Sequence, residues 1–305
     1  MKLRLGTRGS RLALIQTEEV AAGLRAAGAE VEVVIIRTSG DEMPEASLAD
    51  FGGKGLFVRR IEEAILDGRV DAGVHSLKDM PSAVPPGLCL AAFPPREDPA
   101  DALVSRNGRT LTDLPAGSVV GTGSLRRSVA VRALRPDLRV APIRGNVDTR
   151  LRKLDEGLYD AVVLAMAGLR RLDAGLDRAR PLPVDAFLPA PGQGIVAVEA
   201  RAADARALEL LSRVDHTDTR IQAEAERAFL DRLGAGCHTP VAGLARRRGE
   251  ALVLDGLVAT PDGSRVLTAS VTGSPANPRA LGYELADELL GRGARAIVED
   301  TAESR

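Results

Sequence analysis

The chain has 305 residues, 45% of them apolar and 27% charged, with a formal net charge of −1 from 41 basic and 42 acidic side chains. That length exceeds what one hydrophobic core organises and predicts two or three domains; the balanced charge argues against a protein built around a large nucleic-acid-binding face. Aromatics at 2% with no Trp leave little for base stacking, and two cysteines, Cys89 and Cys237, exclude a disulfide scaffold and predict a reducing compartment.

The elements follow in chain order. Residues 2–6 read as a strand, 10–27 as an amphipathic helix that Ser10 is placed to cap, and 31–37 as a β-branched strand. No apolar stretch backs the basic residues near Met1, so no signal peptide is expected, and no apolar run is long enough for a bilayer. The expected location is the cytoplasm. After a polar, Gly-containing stretch from Thr38 to Gly55 come a helix at 56–67 ended by Gly68, a strand at 71–75 and a strand at 88–93. Beyond Phe93-Pro-Pro-Arg-Glu-Asp-Pro99 the style repeats: strands at 102–105, 119–121, 138–143 and 161–165, with helices at 124–134 and 147–156. The alternation predicts two α/β domains with largely parallel sheets. A Pro/Gly segment, 181–194, leads into an apolar strand at 195–200 whose place is open to a return into the first domain. From His216 a long helix, 217–233, precedes two alternating strands, 251–259 and 265–271, joined by a Pro261-Asp-Gly-Ser264 turn, and a helix near 280–290. These make a small α+β domain. The expected division is 1–95 with 195–214, then 96–194, then 215–305.

Rare residues cluster in suggestive places. Of the basic residues only Lys2, Lys54, Lys78 and Lys153 are lysine. In a chain that otherwise uses Arg, a retained Lys hints at a need for a compact ammonium. Two of them fall in Gly-Gly-Lys54-Gly-Leu-Phe57 and His75-Ser-Leu-Lys78-Asp79-Met-Pro81. The second stretch follows a strand, where α/β domains present ligands. Asp79 reads either as an ordinary turn residue or as a carboxylate facing positive charge on a substrate. His75 reads as a packed histidine before a catalytic one.

Three strand-to-helix turns carry Arg beside helix N-termini: Gly6-Thr-Arg8-Gly-Ser10, Gly121-Thr122-Gly-Ser124-Leu-Arg126-Arg127 and Arg144-Gly-Asn-Val-Asp-Thr-Arg150. Arg170 and Arg171 follow another strand. Each alone reads equally as a solvated arginine; together they point to several carboxylates or phosphates, which such turns and guanidinium groups bind. Cys89, in an apolar strand, reads as a packing residue. Cys237, in Gly-Ala-Gly-Cys-His-Thr-Pro, reads as an uncovered thiol able to serve as nucleophile or attachment point. With no C-x-x-C and no H-E-x-x-H, no metal site is expected.

These stretches, with Pro191-Gly-Gln193-Gly194, together resemble the porphobilinogen deaminase (hydroxymethylbilane synthase) family, in family order from Gly6 to Cys237. The resemblance implies two α/β domains like those of periplasmic binding proteins, with a cleft between them, and a small C-terminal α+β domain. It implies a dipyrromethane cofactor held by a thioether to Cys237, and a substrate, porphobilinogen, with one acetate and one propionate per ring. Four condensations with loss of ammonia, then hydrolysis, would release a linear tetrapyrrole.

Asp79 matches the catalytic aspartate. Lys78, Thr122, Ser124, Arg126, Arg127 and Arg144 match cofactor-binding positions, and Arg8, Ser10, Arg150, Arg171, Gln193, Lys54 and Phe57 match substrate-binding or lid positions. Asp50 stands where many relatives carry a basic residue, Gly123 where Ser is common, and Arg11 where Pro is frequent. The family implies a monomer, with neither nucleic acid nor membrane as partner. Two other classes compete. A non-enzymatic organic-anion binding protein would leave Cys237 and the last domain without a role. A nucleic-acid-binding regulator needs a basic recognition helix that is not evident.

Overall fold

The computed structural model describes residues 2–36, 55–235 and 239–303, with side chains described for 2–36, 58–235 and 239–301. The described chain divides into two compact units, Met1–Glu97 with Ile195–Ala223, and Asp98–Gly194 with Glu224–Arg305.

The elements of the first passage are β1 (Lys2–Thr7), α1 (Arg11–Ala26), β2 (Glu30–Ile35), α2 (Gly55–Leu66), β3 (Ala72–Ser76) and β4 (Leu88–Ala92). There follow β5 (Asp101–Ser105), β6 (Val119–Gly121), α3 (Leu125–Leu134), β7 (Arg139–Ala141), α4 (Val147–Asp155), β8 (Ala161–Ala165), α5 (Met166–Leu172) and β9 (Ala179–Pro181). The chain then forms β10 (Val196–Arg201), α6 (Ala205–Leu211), α7 (Thr217–Leu233), β11 (Val241–Arg248), β12 (Ala251–Ala259), β13 (Val266–Gly273), α8 (Pro278–Leu289) and α9 (Arg295–Glu303).

The first unit holds a five-stranded sheet of order β2-β1-β3-β10-β4. β1 runs parallel to β2 and β3, whereas β10 is antiparallel to β3 and β4. The second unit holds a sheet of order β7-β6-β8-β5-β9 with the same logic: β6 is parallel to β7 and β8, and β5 is antiparallel to β8 and β9. The expectation of largely parallel sheets is therefore corrected to mixed ones. In each, one strand enters from the far side of a unit crossing and runs against its neighbours. The return of the 195–200 strand to the first unit is borne out.

The cores follow from the residue pattern. Leu3 and Leu5 of β1, Val20, Ala21 and Leu24 of α1, and Val196 and Val198 of β10 form one cluster. Ser10 accepts from Ala13 N and Asn146 from Thr149 N, so α1 and α4 begin where side-chain caps satisfy their first amides. In the second unit, strands β5, β6 and β8 are buried on both faces, with Leu103, Val120, Val163 and Phe187 on one side and Val104, Ile143, Leu154 and Leu164 on the other. The same unit contains the antiparallel sheet β11-β12-β13. Its packing on the helices is tight: a Cβ at Gly256 would lie 2.7 Å from Leu285 Cδ2, and one at Gly282 would lie 2.4 Å from Ala225 O. Two α/β sheets and a C-terminal α+β portion make up the architecture, as the sequence implied.

Candidate active site

β3 ends in a 3-10 turn, Leu77–Asp79. Leu77 N donates to Ile195 O at 3.0 Å and Met80 N to Leu77 O at 3.1 Å. Leu77 and Met80 are buried in a cluster with Val58, Phe93, Ile195 and Ala197. Apolar side chains three apart thus anchor the turn and leave Lys78 and Asp79 half-buried between them. Truncating Leu77 would cost roughly 2–5 kcal/mol, the usual range for a buried Leu. Because β1 and β3 are parallel neighbours, Arg8 and Ser10 emerge at the same carboxyl-terminal sheet edge as Asp79. Arg8 is half-buried. The Ser10 hydroxyl accepts from Ala13 N at 3.4 Å and is used as the cap of α1.

In the second unit the residues singled out by sequence also lie at a carboxyl-terminal sheet edge. After β6, Thr122 is 3% exposed and its Oγ1 accepts from Ser124 N at 3.2 Å. Ser124 caps α3 by accepting from Arg127 N at 3.5 Å. A Cβ at Gly123 would lie 2.8 Å from Ile143 O, so glycine suits this backbone better than serine would. After β7, Arg144 is exposed, and Arg150 on α4 donates from Nε to Gly145 O at 2.8 Å. Gly145 has φ +109°, a conformation that permits this approach. After β8, Arg171 on α5 is half-buried and its Nη1 lies 3.4 Å from Gly194 O.

Arg126 and Arg127 behave differently from the surface arginines. Both are buried, and both grip Asp101, which has no exposed surface. Arg126 Nη2 lies 2.7 Å from Asp101 Oδ2. Arg127 donates from Nε at 2.9 Å and Nη2 at 2.7 Å to Oδ1. Gln193 Nε2 donates to the same oxygen at 3.0 Å and to Pro99 O at 2.8 Å. Burial pushes the Asp101 pKa up, but the two guanidinium groups outweigh it and hold the carboxyl at about 2. The remaining donors are largely taken too: Arg127 Nη1 reaches Val163 O at 3.1 Å and Arg126 Nη1 reaches Leu188 O at 2.8 Å. Arg126 Nε is buried and has no hydrogen-bond partner among the described residues.

Sequence reasoning passed over Asp101, and over Glu226 on α7. Glu226 is buried and accepts from Gly192 N at 2.5 Å and Ala245 N at 2.8 Å, tying the Gly192-Gln193-Gly194 loop to β11. A signal was available for Asp101: it heads the otherwise apolar strand Asp-Ala-Leu-Val-Ser, where a charge must find partners. Lys54 and Cys237 lie outside the described residues, and so does the side chain of Phe57. Cys237 falls in the segment joining α7 to β11. No group of three or more His, Cys, Asp or Glu suited to a metal ion occurs among the described residues.

Residues 3–209 match the family model described as porphobilinogen deaminase, dipyromethane cofactor binding domain, and 220–291 match the porphobilinogen deaminase C-terminal domain. The chain belongs to the porphobilinogen deaminase family. It is 52% identical over 300 residues to the porphobilinogen deaminase of Roseiflexus sp. (strain RS-1), covering 97% of this chain and 98% of that one. It is 47% identical over 300 residues to that of Syntrophobacter fumaroxidans, covering 98% and 97%. Among solved structures it is similar to the methionine binding protein MetQ at 13% identity and TM-score 0.43, over 72% of this chain and 92% of that one, a likeness too loose to carry a conclusion. Membership makes the chain an enzyme, a transferase of tetrapyrrole biosynthesis whose cofactor is dipyrromethane. The competing readings as a plain binding protein or a nucleic-acid regulator are displaced.

The residues present fit that cofactor. Exposed Arg144 and the capped N-terminus of α3 are donors suited to its carboxylates. Among the described residues, no helix is long and apolar enough to cross a membrane.

Proposed function

We propose that this chain performs the family's reaction, the stepwise deaminating condensation of four porphobilinogen molecules and hydrolytic release of hydroxymethylbilane, with Asp79 as catalytic residue and Cys237 as tether. The observation that carries the reading is the Leu77–Asp79 turn: two buried apolar residues fix it, and it holds a carboxylate at the sheet edge that Arg8 shares. When bound, dipyrromethane supplies the free pyrrole α-carbon from which the chain grows.

Asp79 accepts from the pyrrole N–H and stabilises the positive charge that develops on the ring nitrogen as ammonia leaves the substrate's aminomethyl carbon. The same carboxylate holds the ring in place while its α-carbon proton is lost. Lys78, a flexible ammonium beside it, serves the cofactor's carboxylates, and Arg8 orients substrate carboxylates. Thr122, Ser124, Arg126, Arg127 and Arg144 serve the cofactor's carboxylates, and Ser10, Arg150, Arg171, Gln193, Lys54 and Phe57 serve the incoming substrate. For Arg126 and Arg127 the service is mainly structural, since Asp101 and backbone carbonyls already take most of their donors. Ser10 similarly acts through the α1 cap.

The proposal further includes three domains (1–95 with 195–214; 96–194; 215–305), a monomer, and a cytoplasmic location supported by the low cysteine count.

Intact mass under denaturing conditions tests the tether. The wild-type chain is expected to carry an adduct of two porphobilinogen-derived pyrroles, and Cys237→Ser none. Bare apoprotein mass in active wild-type material would remove Cys237 from the mechanism.

A further inference from the structure

Behind the Asp79 turn lies a set of buried titratable groups with no part in the chemistry just described. Glu199 on β10 is 0% exposed, and neither of its carboxylate oxygens has a hydrogen-bond partner among the described residues. His75 on β3 is 7% exposed, and its Nε2 sits 3.3 Å from Glu199 Oε2, also outside hydrogen-bond geometry. A third group, Glu62 on α2, is 7% exposed.

The backbone is arranged to bring them together. In the antiparallel register Glu199 faces Gly73 and His75 faces Ala197, so the acid and the imidazole lie on one face as a diagonal pair. Gly73 leaves the space between them: a Cβ there would stand 3.0 Å from His75 Nε2 and 2.4 Å from Ile61 Cγ2. α2 covers this face with Ile61 and Ile65.

An ionised carboxylate without donors in such a place costs several kcal/mol, so it must share a proton or pair with a cation. The groups that can answer are few. Glu62 feels the charges of Glu199 and His75, and those of Arg59 and Glu63 on its own helix. Cys89 of β4 feels Glu199 and Arg220; the Arg220 guanidinium itself bonds Asp215 and stacks 5.0 Å over Phe93. Burial, then the charge of Glu199, pushes the Glu62 carboxyl up, against the lowering influence of His75 and Arg59.

We infer that His75 and Glu199, with Glu62, form a buried polar cluster that positions Asp79. The cluster clamps β3 to β10 just before the turn, where Leu77 N also bonds Ile195 O. These are positioning residues: none is assigned a contact with substrate or cofactor.

Two measurements on the full chain test the cluster. The first uses the dipyrromethane-loaded enzyme and rests on Asp79 being catalytic. Glu199→Gln should lower kcat by about tenfold or more, leave KM within about twofold, and move an inflection in the pH profile of kcat by more than about half a unit. A profile of unchanged shape, with kcat and KM altered together, overturns the proposal.

The second needs no turnover. Because the folded pKa of Glu62 is raised, its stabilising contribution is full below the ordinary carboxyl value of 4.5 and is lost as pH rises through the raised value. The wild-type melting temperature should fall over that window, and Glu62→Gln, which mimics the protonated acid, should remove that part of the fall. Parallel curves overturn the proposal. If Glu199→Gln does not fold, the melting series decides. A wild type that is inactive toward porphobilinogen defeats the functional reading and leaves the melting comparison standing.

Discussion

The two α/β sheets share a strand order and a pairing scheme, yet their antiparallel strands carry opposite solutions to one problem. β5 places Asp101 at zero exposure and surrounds it with two guanidinium groups and an amide. β10 places Glu199 at zero exposure and gives it an imidazole 3.3 Å away and a second acid. Arginine stays charged at any accessible pH, so Asp101 is held ionised. Glu199 has no such fixed cation, and neither of its oxygens has a hydrogen-bond partner among the described residues. The first arrangement turns two arginines inward on one carboxylate. The second sits behind the Asp79 turn. The topology is common but the acids stand at different places in it, Asp101 opposite the last residue of β8 and Glu199 opposite Gly73 within β3, and their partners differ accordingly.

The largest expected effect separates chemistry from binding. Asp79→Ala should lose nearly all turnover while retaining its fold and its covalent cofactor by intact mass. A loss smaller than about tenfold, roughly 1.4 kcal/mol of barrier, would remove Asp79 from the role given to it.

Next comes Asp101→Asn, which leaves two buried guanidinium groups facing a neutral acceptor. A cost of about 3–5 kcal/mol is expected, with a melting temperature lower by on the order of 10 °C and impaired cofactor loading. If this variant instead loads and melts like the wild type but fails in turnover, the contrast between the sheets collapses. The acid limb sharpens the same point. The folded pKa of Asp101 is near 2 against an ordinary 3.8, so its contribution is full above 3.8 and lost as pH falls through about 2. The wild type should show this loss on acid titration, and Asp101→Asn should not.

Smaller effects are expected from Arg144→Leu, Arg150→Leu and Arg171→Leu. Mass spectrometry of the covalent intermediates should show each variant stalling at a different elongation step. Equal, weak slowing of all steps would point to general electrostatic attraction.

Local signals were legible where they act through neighbours in the chain. Ser10 caps the helix that follows, and β6, β8 and α7 have the bounds that their patterns predict. α6, β9, β11 and α9 were passed over. β9 has three residues, and β11 ends in Arg246-Arg-Arg248, so neither shows a clean alternation. The mixed sheets were also missed, because strand direction depends on which distant segment supplies the neighbour.

The candidate site divides the same way. By itself the sequence determined the turn that holds Asp79, the Arg-bearing helix starts, and the family these motifs belong to. All of these rest on short spacings, where backbone geometry leaves few choices. Only the tertiary structure decided that Arg126 and Arg127 are turned inward on Asp101, and that Gly73 opens a space in which His75 meets Glu199. Those pairs span 25 to 124 residues along the chain, and a charge in a strand finds its partner only once the sheet has formed.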